Sequence, residues 1–283
     1  MAHEKRIPTP QKTKKSTNDI PLTSEYLLVV LSDLSTRIAR YFGSMAPVNL
    51  VVHGGVVMVL HEGLKTRPYT LDIDYCHRGF VVEWANRGLC DADARLKKCI
   101  AETAERFDLG PDWMNAHADT ALPHRPPLEK APQTYDHVWH AAMEKQNMED
   151  NTIYRSDYLR LIAVPWSWGV ALKLQRYLKF DPYDIACILN RGKTIRAVRH
   201  WDLRTIEVWL RQQCSALGYD WFSAEQIYIM RERMQHAICF AQKIEAEGKA
   251  QLMTLQQQSQ QQYFFSQKPQ HAGTSFTNVV RVR

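Results

Sequence analysis

Two aspartates two positions apart, Asp72 and Asp74, stand in a run from Tyr69 to Cys76 that alternates polar and apolar residues. The alternation predicts a strand over Tyr69–Cys76, with Thr70, Asp72 and Asp74 on one face and Leu71, Ile73 and Tyr75 on the other. Carboxylates side by side repel each other, and a divalent cation between them relieves the repulsion. Mg²⁺ is held by a few carboxylates together with substrate phosphates. Upstream, Gly54-Gly55 separates the β-branched run Val48–Val52 from the apolar run Val56–Leu60. This predicts a buried strand, a turn and a short buried helix. A Gly pair there brings bare backbone N–H groups to a helix N-terminus, where an anionic phosphate approaches closely. Arg67 lies just ahead of the aspartate strand, where its fork either grips a phosphate or pins a carboxylate. Each feature alone is ordinary; at this spacing they point together to metal-assisted phosphate chemistry.

The set Gly54-Gly55, Arg67-x-x-Thr70 and Asp72-x-Asp74 resembles the signature of the polymerase-β-type nucleotidyltransferase superfamily, nearest to its minimal and AbiEii-like branch. The resemblance covers roughly Tyr26 to Asn190 and is concentrated in Val52–Asp74. It implies an α/β (α+β) fold, a small mixed sheet with flanking helices followed by an all-helical C-terminal region. It also implies Mg²⁺ as cofactor and NTP as substrate. Asp72 and Asp74 become the catalytic metal ligands, and Gly54, Gly55, Arg67 and Thr70 contact the nucleotide. A Gly-Pro turn and Trp113-Met114-Asn115 also look like this branch. So does the spacing of Lys173, Asp181 and Asp184, which brings Lys173 and Asp184 into the nucleotide site. Leu178 stands where the branch usually has Arg, with Arg176 and Lys179 nearby.

Plainer readings stand beside these. Lys173 is either a triphosphate ligand or a surface charge. Asp181-Pro182 has the form of an N-cap with Pro at the first helical position, and Asp184 falls in the first turn, where the helix dipole favours it. The superfamily usually adds a third carboxylate on a later strand. Leu159–Val164 has none, and Asp157 just before it is the near candidate.

The elements that must position these residues follow from periodicity. Thr23 or Ser24 caps a helix to about Tyr41, with Leu27, Leu28, Leu31, Leu34, Ile38 and Tyr41 on one face. Asp91–Phe107 is an amphipathic helix with Leu96, Ile100 and Phe107 inward. Pro123, Pro126, Pro127 and Pro132 make 121–133 an irregular loop, carrying His124 with His117 just ahead. Thr152–Val164 is one bent strand or a hairpin about Ser156-Asp157, stopped by Pro165. Helices follow at Trp166–Leu178, from Asp181 to a stop at Asn190-Arg191-Gly192, and at Trp201–Leu217. Ser223-x-x-Gln226 is a capping box. It opens a long helix whose Ile227, Met230, Met234, Ala237, Ile238 and Ala241 form core or a partner surface.

The 283 residues carry 45% hydrophobic and 23% charged side chains, ordinary for a globular chain, and a net charge of +6 that suits an anionic partner. The division expected is a basic disordered tail over 1–22, a nucleotidyltransferase-like core over 23–165, a helical region over 166–250 and a Gln-rich disordered tail over 251–283, with Tyr263-Phe264-Phe265 a docking element. Six cysteines without a C-x-x-C pair read as reduced thiols of an intracellular protein, cytoplasmic or nuclear. No apolar window is long enough to span a membrane. The function expected is Mg²⁺-dependent transfer of a nucleotide to RNA, a protein or a small molecule. The alternatives are a catalytically inactive module of the same fold that binds a nucleotide or a protein, and a helical interaction protein.

Overall fold

A computed structural model describes residues 16–127, 134–196 and 200–266. In chain order the elements are β1 (Leu22–Thr23), α1 (Ser24–Phe42), β2 (Val48–His53), α2 (Gly55–Leu60), β3 (Tyr69–Thr70), β4 (Ile73–Tyr75), α3 (His77–Asn86), α4 (Ala92–Phe107), β5 (Met114–Asn115), β6 (His124–Arg125), β7 (Tyr135–Asp136), α5 (His137–Ala142), α6 (Lys145–Asn151), β8 (Thr152–Arg155), β9 (Leu159–Ala163), α7 (Trp166–Arg176), α8 (Asp181–Arg196), α9 (Leu203–Gln212) and α10 (Ala224–Ser266). The chain forms two units, Met1–Ala241 and Gln242–Arg283. In the second, α10 continues through the Gln-rich run expected to be disordered. Residues 16–22, expected to belong to the disordered N-terminal tail, are instead packed, with Asn18 buried and its Nδ2 donating to Leu71 O at 2.7 Å. The tail up to residue 15, part of the proline-rich loop and 267–283 lie outside the described residues.

The first unit is built on a five-stranded mixed sheet in the order β5-β4-β2-β9-β8. β2 pairs antiparallel with β4 and parallel with β9; of the two arrangements expected over Thr152–Val164, β8 and β9 form the hairpin. The central strand is a nearly continuous apolar run because both of its faces are covered, and Val48, Leu50, Val51 and Val52 are fully buried. On α1 the buried stripe is Leu27, Val30, Leu31, Leu34 and Ile38, capped by Thr23, whose Oγ1 accepts from Tyr26 N–H at 3.3 Å. Leu28 is about half exposed and Tyr41 lies at the stripe's edge, so they are not the core positions that spacing suggested.

Three expected elements change. The strand Tyr69–Cys76 is two strands in two different sheets, β3 with β1 and β4 with β2, because the chain turns at Leu71-Asp72. α8 does not stop at Asn190-Arg191-Gly192. Those residues serve tertiary packing: Asn190 Nδ2 donates to Ala241 O at 2.9 Å, and a Cβ on Gly192 would stand 2.8 Å from Trp201 Cζ2. The helix expected over Trp201–Leu217 spans only α9, capped by Asp202, with a 3₁₀ turn at Ser215–Leu217. The capping box at Ser223 closes both ways, Gln226 N–H to Ser223 Oγ at 3.2 Å and Ser223 N–H to Gln226 Oε1 at 2.8 Å. All six cysteines are free, four of them buried. Among the described residues no helix is long and apolar enough to cross a membrane.

Candidate functional site

β2 ends at His53 and turns into α2 through Gly54, whose φ of +76° favours glycine. A Cβ there would lie 2.8 Å from Asp74 Oδ2, and one on Gly55 would collide with Thr70 Oγ1. The Gly pair is therefore required by the two side chains packed against it. Asp74 stands opposite His53 in the β2–β4 pair and beside Asn115 in the β4–β5 pair. Thr70 is buried, and its hydroxyl donates to the Asp72 carbonyl at 3.1 Å, which fixes the turn that brings Asp72 back toward Asp74.

Both carboxyls are half-buried and both are pushed above the usual aspartate range. For Asp72 the causes are burial first and the Asp74 charge second, opposed by hydrogen bonds from Thr70 and Asn115. For Asp74 burial dominates, opposed by Arg176, His117 and Lys173. Ionised together, the pair is electrostatically unsatisfied by the protein alone. Asn115 and His117 thus belong to the site. The Trp-Met-Asn motif signalled Asn115; His117, like His124, read in the sequence as either a ligand or a polar loop residue.

The second group of expected site residues forms a closed chain of charges. Asp184 is fully buried and accepts from Arg67 Nε at 2.8 Å, from a second Arg67 nitrogen, and from Lys173 Nζ at 2.6 Å. Arg67 therefore pins a carboxylate. Lys173 is buried rather than a surface charge, and also lies 3.7 Å from Asp181. Asp181 is not the cap that Asp-Pro suggested. Its carboxylate turns back to take both forks of Arg176 at 2.9 Å and Leu178 N–H at 2.9 Å. Burial pushes its pKa up, but these partners outweigh burial and hold it low. The Tyr177–Asp181 turn that makes this possible has left-handed φ values at Tyr177 and Lys179. Phe180, at its end, lies under the Arg67 guanidinium at 4.5 Å.

The two groups meet on one cavity of about 350 Å³. His53 and Gly54, Val57 and Met58 of α2, Asp74, and Ala118, Ala121 and Leu122 line one side. Val164, Trp166, a stripe of α7 (Gly169, Leu172, Lys173 and Arg176), Gln175, and Ile188 of α8 complete it. Leu172 thus shares a helical face with Lys173, as the i, i+3, i+4, i+7 spacing dictates. His53 is buried and its pKa falls to about 4, through burial first and the charges of Lys173 and Arg176 second, so the ring is neutral at physiological pH.

Asp157 does not join Asp72 and Asp74 as a third carboxylate. β2 and β9 run parallel with Val48 against Leu159, so Asp157 lies beside the start of β2 and the site beyond its end. Continuing the register, Val164 stands next to His53 where a third carboxylate would be needed; its N–H donates to Val52 O at 3.0 Å. Among the described residues no group of three or more His, Cys, Asp or Glu side chains is arranged to hold a metal ion. Two carboxylates with phosphate oxygens still make a donor set suited to Mg²⁺, and the repulsion between Asp72 and Asp74 fits a cation there.

Comparisons with protein-family models, with curated proteins and with solved structures found no match. The functional reading rests on the site's own geometry and chemistry.

Proposed function

We propose that Asp72, Asp74 and the Gly54-Gly55 turn form a Mg²⁺-dependent nucleotide site on a nucleotidyltransferase-type core, and that the protein transfers a nucleotide from NTP to an acceptor. The observation that carries this reading is the half-buried, unsatisfied carboxylate pair packed against a turn without side chains, on a cavity whose wall also carries Lys173 and Arg176.

Charge supports a metal requirement. Arg67, Lys173 and Arg176 against Asp181 and Asp184 leave one net positive charge. Asp72 and Asp74, ionised, turn the whole set negative, which repels a triphosphate. Bound Mg²⁺ supplies the neutralising charge and polarises a phosphoryl oxygen. Asp72 and Asp74 would hold it, and the Gly54-Gly55 turn lets Asp74 and Thr70 close directly against the backbone there. Arg176, whose side chain is more than half exposed, offsets the charge of the departing pyrophosphate. The acceptor hydroxyl oxygen bonds to the α-phosphorus, the bond from that phosphorus to pyrophosphate breaks, and the hydroxyl proton passes to water. The net charge of +6 suits RNA as acceptor; a protein or small-molecule hydroxyl satisfies the same chemistry.

Asp72→Asn and Asp74→Asn are each expected to weaken Mg²⁺-dependent NTP binding, read by calorimetry, by a hundredfold or more. Parent-like binding in both variants would defeat the metal assignment. Val164 in place of a third acid favours a second reading, a module that binds nucleotide without turnover. Incubation with each labelled NTP, Mg²⁺, total RNA and total protein separates the two: transferred label means an enzyme, binding without transfer means the module.

A further inference from the structure

The cavity beside Asp74 has two chemically distinct walls. Lys173, Arg176 and Asp74 are charged, whereas Met58, Leu122, Val164, Leu172 and Ile188 are aliphatic and Trp166 adds an indole. A triphosphate chain matches the first wall and would be desolvated without partners against the second. A flat heteroaromatic ring matches the second, since small-molecule pockets join apolar walls to a few polar groups that fix orientation. At about 350 Å³ the space suits a ligand of nucleoside size and is too small for a folded protein element. Besides Asp74 and the exposed Gln175, His53 is a polar side chain on this cavity that stands apart from the ion-pair chain. His53 is more than nine-tenths buried, and its Nε2, enclosed with the ring, has no hydrogen-bond partner, so a turn of the ring is what presents it to the cavity. A buried polar group without a partner in the free protein is what a ligand's polar edge can satisfy.

We infer that this cavity takes the base of the nucleotide, with His53 as the residue that reads the base edge and Trp166 and the aliphatic wall enclosing its faces. This rests on the nucleotide reading of Asp72 and Asp74 and adds to it which part of the substrate goes where. The phosphates lie along Asp74, Lys173 and Arg176; the base lies inward between α2 and α7. Specificity among bases then comes from one imidazole, by the presence or absence of a matching donor or acceptor.

The test uses the full chain and calorimetry with Mg²⁺ and ATP, GTP, CTP, UTP, inorganic tripolyphosphate and the four nucleosides. Gly169→Leu fills the cavity: a Cβ there meets only Ile188 Cδ1, at 3.7 Å, so the added side chain has open space rather than backbone before it. Leu172→Trp fills it from the next turn and serves where Gly169→Leu folds poorly. The unaltered protein is expected to prefer one base tenfold or more. Either filled variant should weaken NTP tenfold or more but tripolyphosphate less than threefold. His53→Phe should narrow the preference among bases to under threefold. Equal loss of NTP and tripolyphosphate in the filled variants would overturn the cavity assignment, and a preference that survives His53→Phe would overturn the role of His53. If tripolyphosphate fails to bind but a nucleoside binds and is lost in the filled variants, the metal reading falls and the cavity assignment stands. Binding of no nucleotide or nucleoside at all overturns both.

Discussion

Two pairs of aspartates serve the same cavity in opposite ways. Asp181 and Asp184 are deeply buried, and each is matched by cations: Arg176 for one, Arg67 and Lys173 for the other. Asp72 and Asp74 are less buried, and among the described residues neither has an ion-pair partner within 4 Å. Burial raises all such carboxyl pKa values, yet Asp181 ends below its ordinary value and Asp72 and Asp74 end above theirs. A carboxylate that the protein neutralises holds helices together. One that it leaves unneutralised has its charge available to something from solution. Sequence spacing alone, Asp-x-x-Asp in one case and Asp-x-Asp in the other, does not tell these apart; the cations that reach them do.

The comparison breaks most visibly at Asp184. Asp184→Asn leaves Arg67 without its buried counter-charge and Lys173 with only Asp181, 3.7 Å away, and is expected to lower unfolding free energy by about 3–5 kcal/mol in denaturant titration. A loss below about 1 kcal/mol would mean that the network is not what fastens α8 to α7 and to the loop that carries Arg67.

His53 stands among the same charges and gives the next largest effect. Its folded pKa of about 4 lies below the unfolded value of about 6.5, so the unfolded chain binds more protons between them. Stability from this group is present above pH 6.5 and is lost as pH falls toward 4, by on the order of 3 kcal/mol at about 1.4 kcal/mol per unit. His53→Gln should remove that component from a stability–pH curve.

Lys173→Met keeps the stem and removes the charge. Asp184 retains Arg67 and Asp181 retains Arg176, so the expected loss is smaller, about 1.5–3 kcal/mol, the range of a hydrogen bond to a charged group. No change in stability would return Lys173 to the surface-charge reading.

The smallest stability effect, and opposite in sign, belongs to the site pair. With folded pKa values raised, Asp72 and Asp74 contribute stability that is present below their unfolded values and lost as pH rises through the folded ones. The Asp72→Asn, Asp74→Asn double variant should melt slightly above the parent at pH 7, and the difference should fade below about pH 4. A double variant that melts well below the parent at pH 7 would show the pair to be structural, and the contrast with Asp181 and Asp184 would collapse.

Much of this was legible in the sequence because local patterns dictate local structure. The Gly-Gly turn, the hairpin at Ser156-Asp157, the capping box at Ser223 and the Leu96 and Ile100 positions of α4 follow from nearest neighbours, whereas Phe107, expected inward with them, is only half-buried. The partners of Arg67, Lys173 and Asp184 were not legible as partners. The resemblance placed these residues in one site, and only the packing of α7 and α8 shows that they neutralise one another. His53 was passed over because a histidine ending a buried strand carries no spacing signal. Asp157 looked near to the site because position along a hairpin does not reveal which end of a parallel neighbour it meets. Gly192 looked like a helix stop because nothing local announces Trp201 lying against it.

The parallel pairing of β2 with β9 joins segments roughly 110 residues apart. During synthesis at about 5–20 residues per second, β2 and its Gly-Gly turn leave the ribosome several seconds before the strand and helix that complete the cavity. Through that interval the nascent chain has an aspartate pair and half a pocket, with the apolar edge of β2 awaiting its partner. Pairing over so long a separation slows folding. The cavity is thus completed late, in the step that buries β2, and a chain truncated before Trp166 would carry the Asp-x-Asp motif without the wall that α7 supplies.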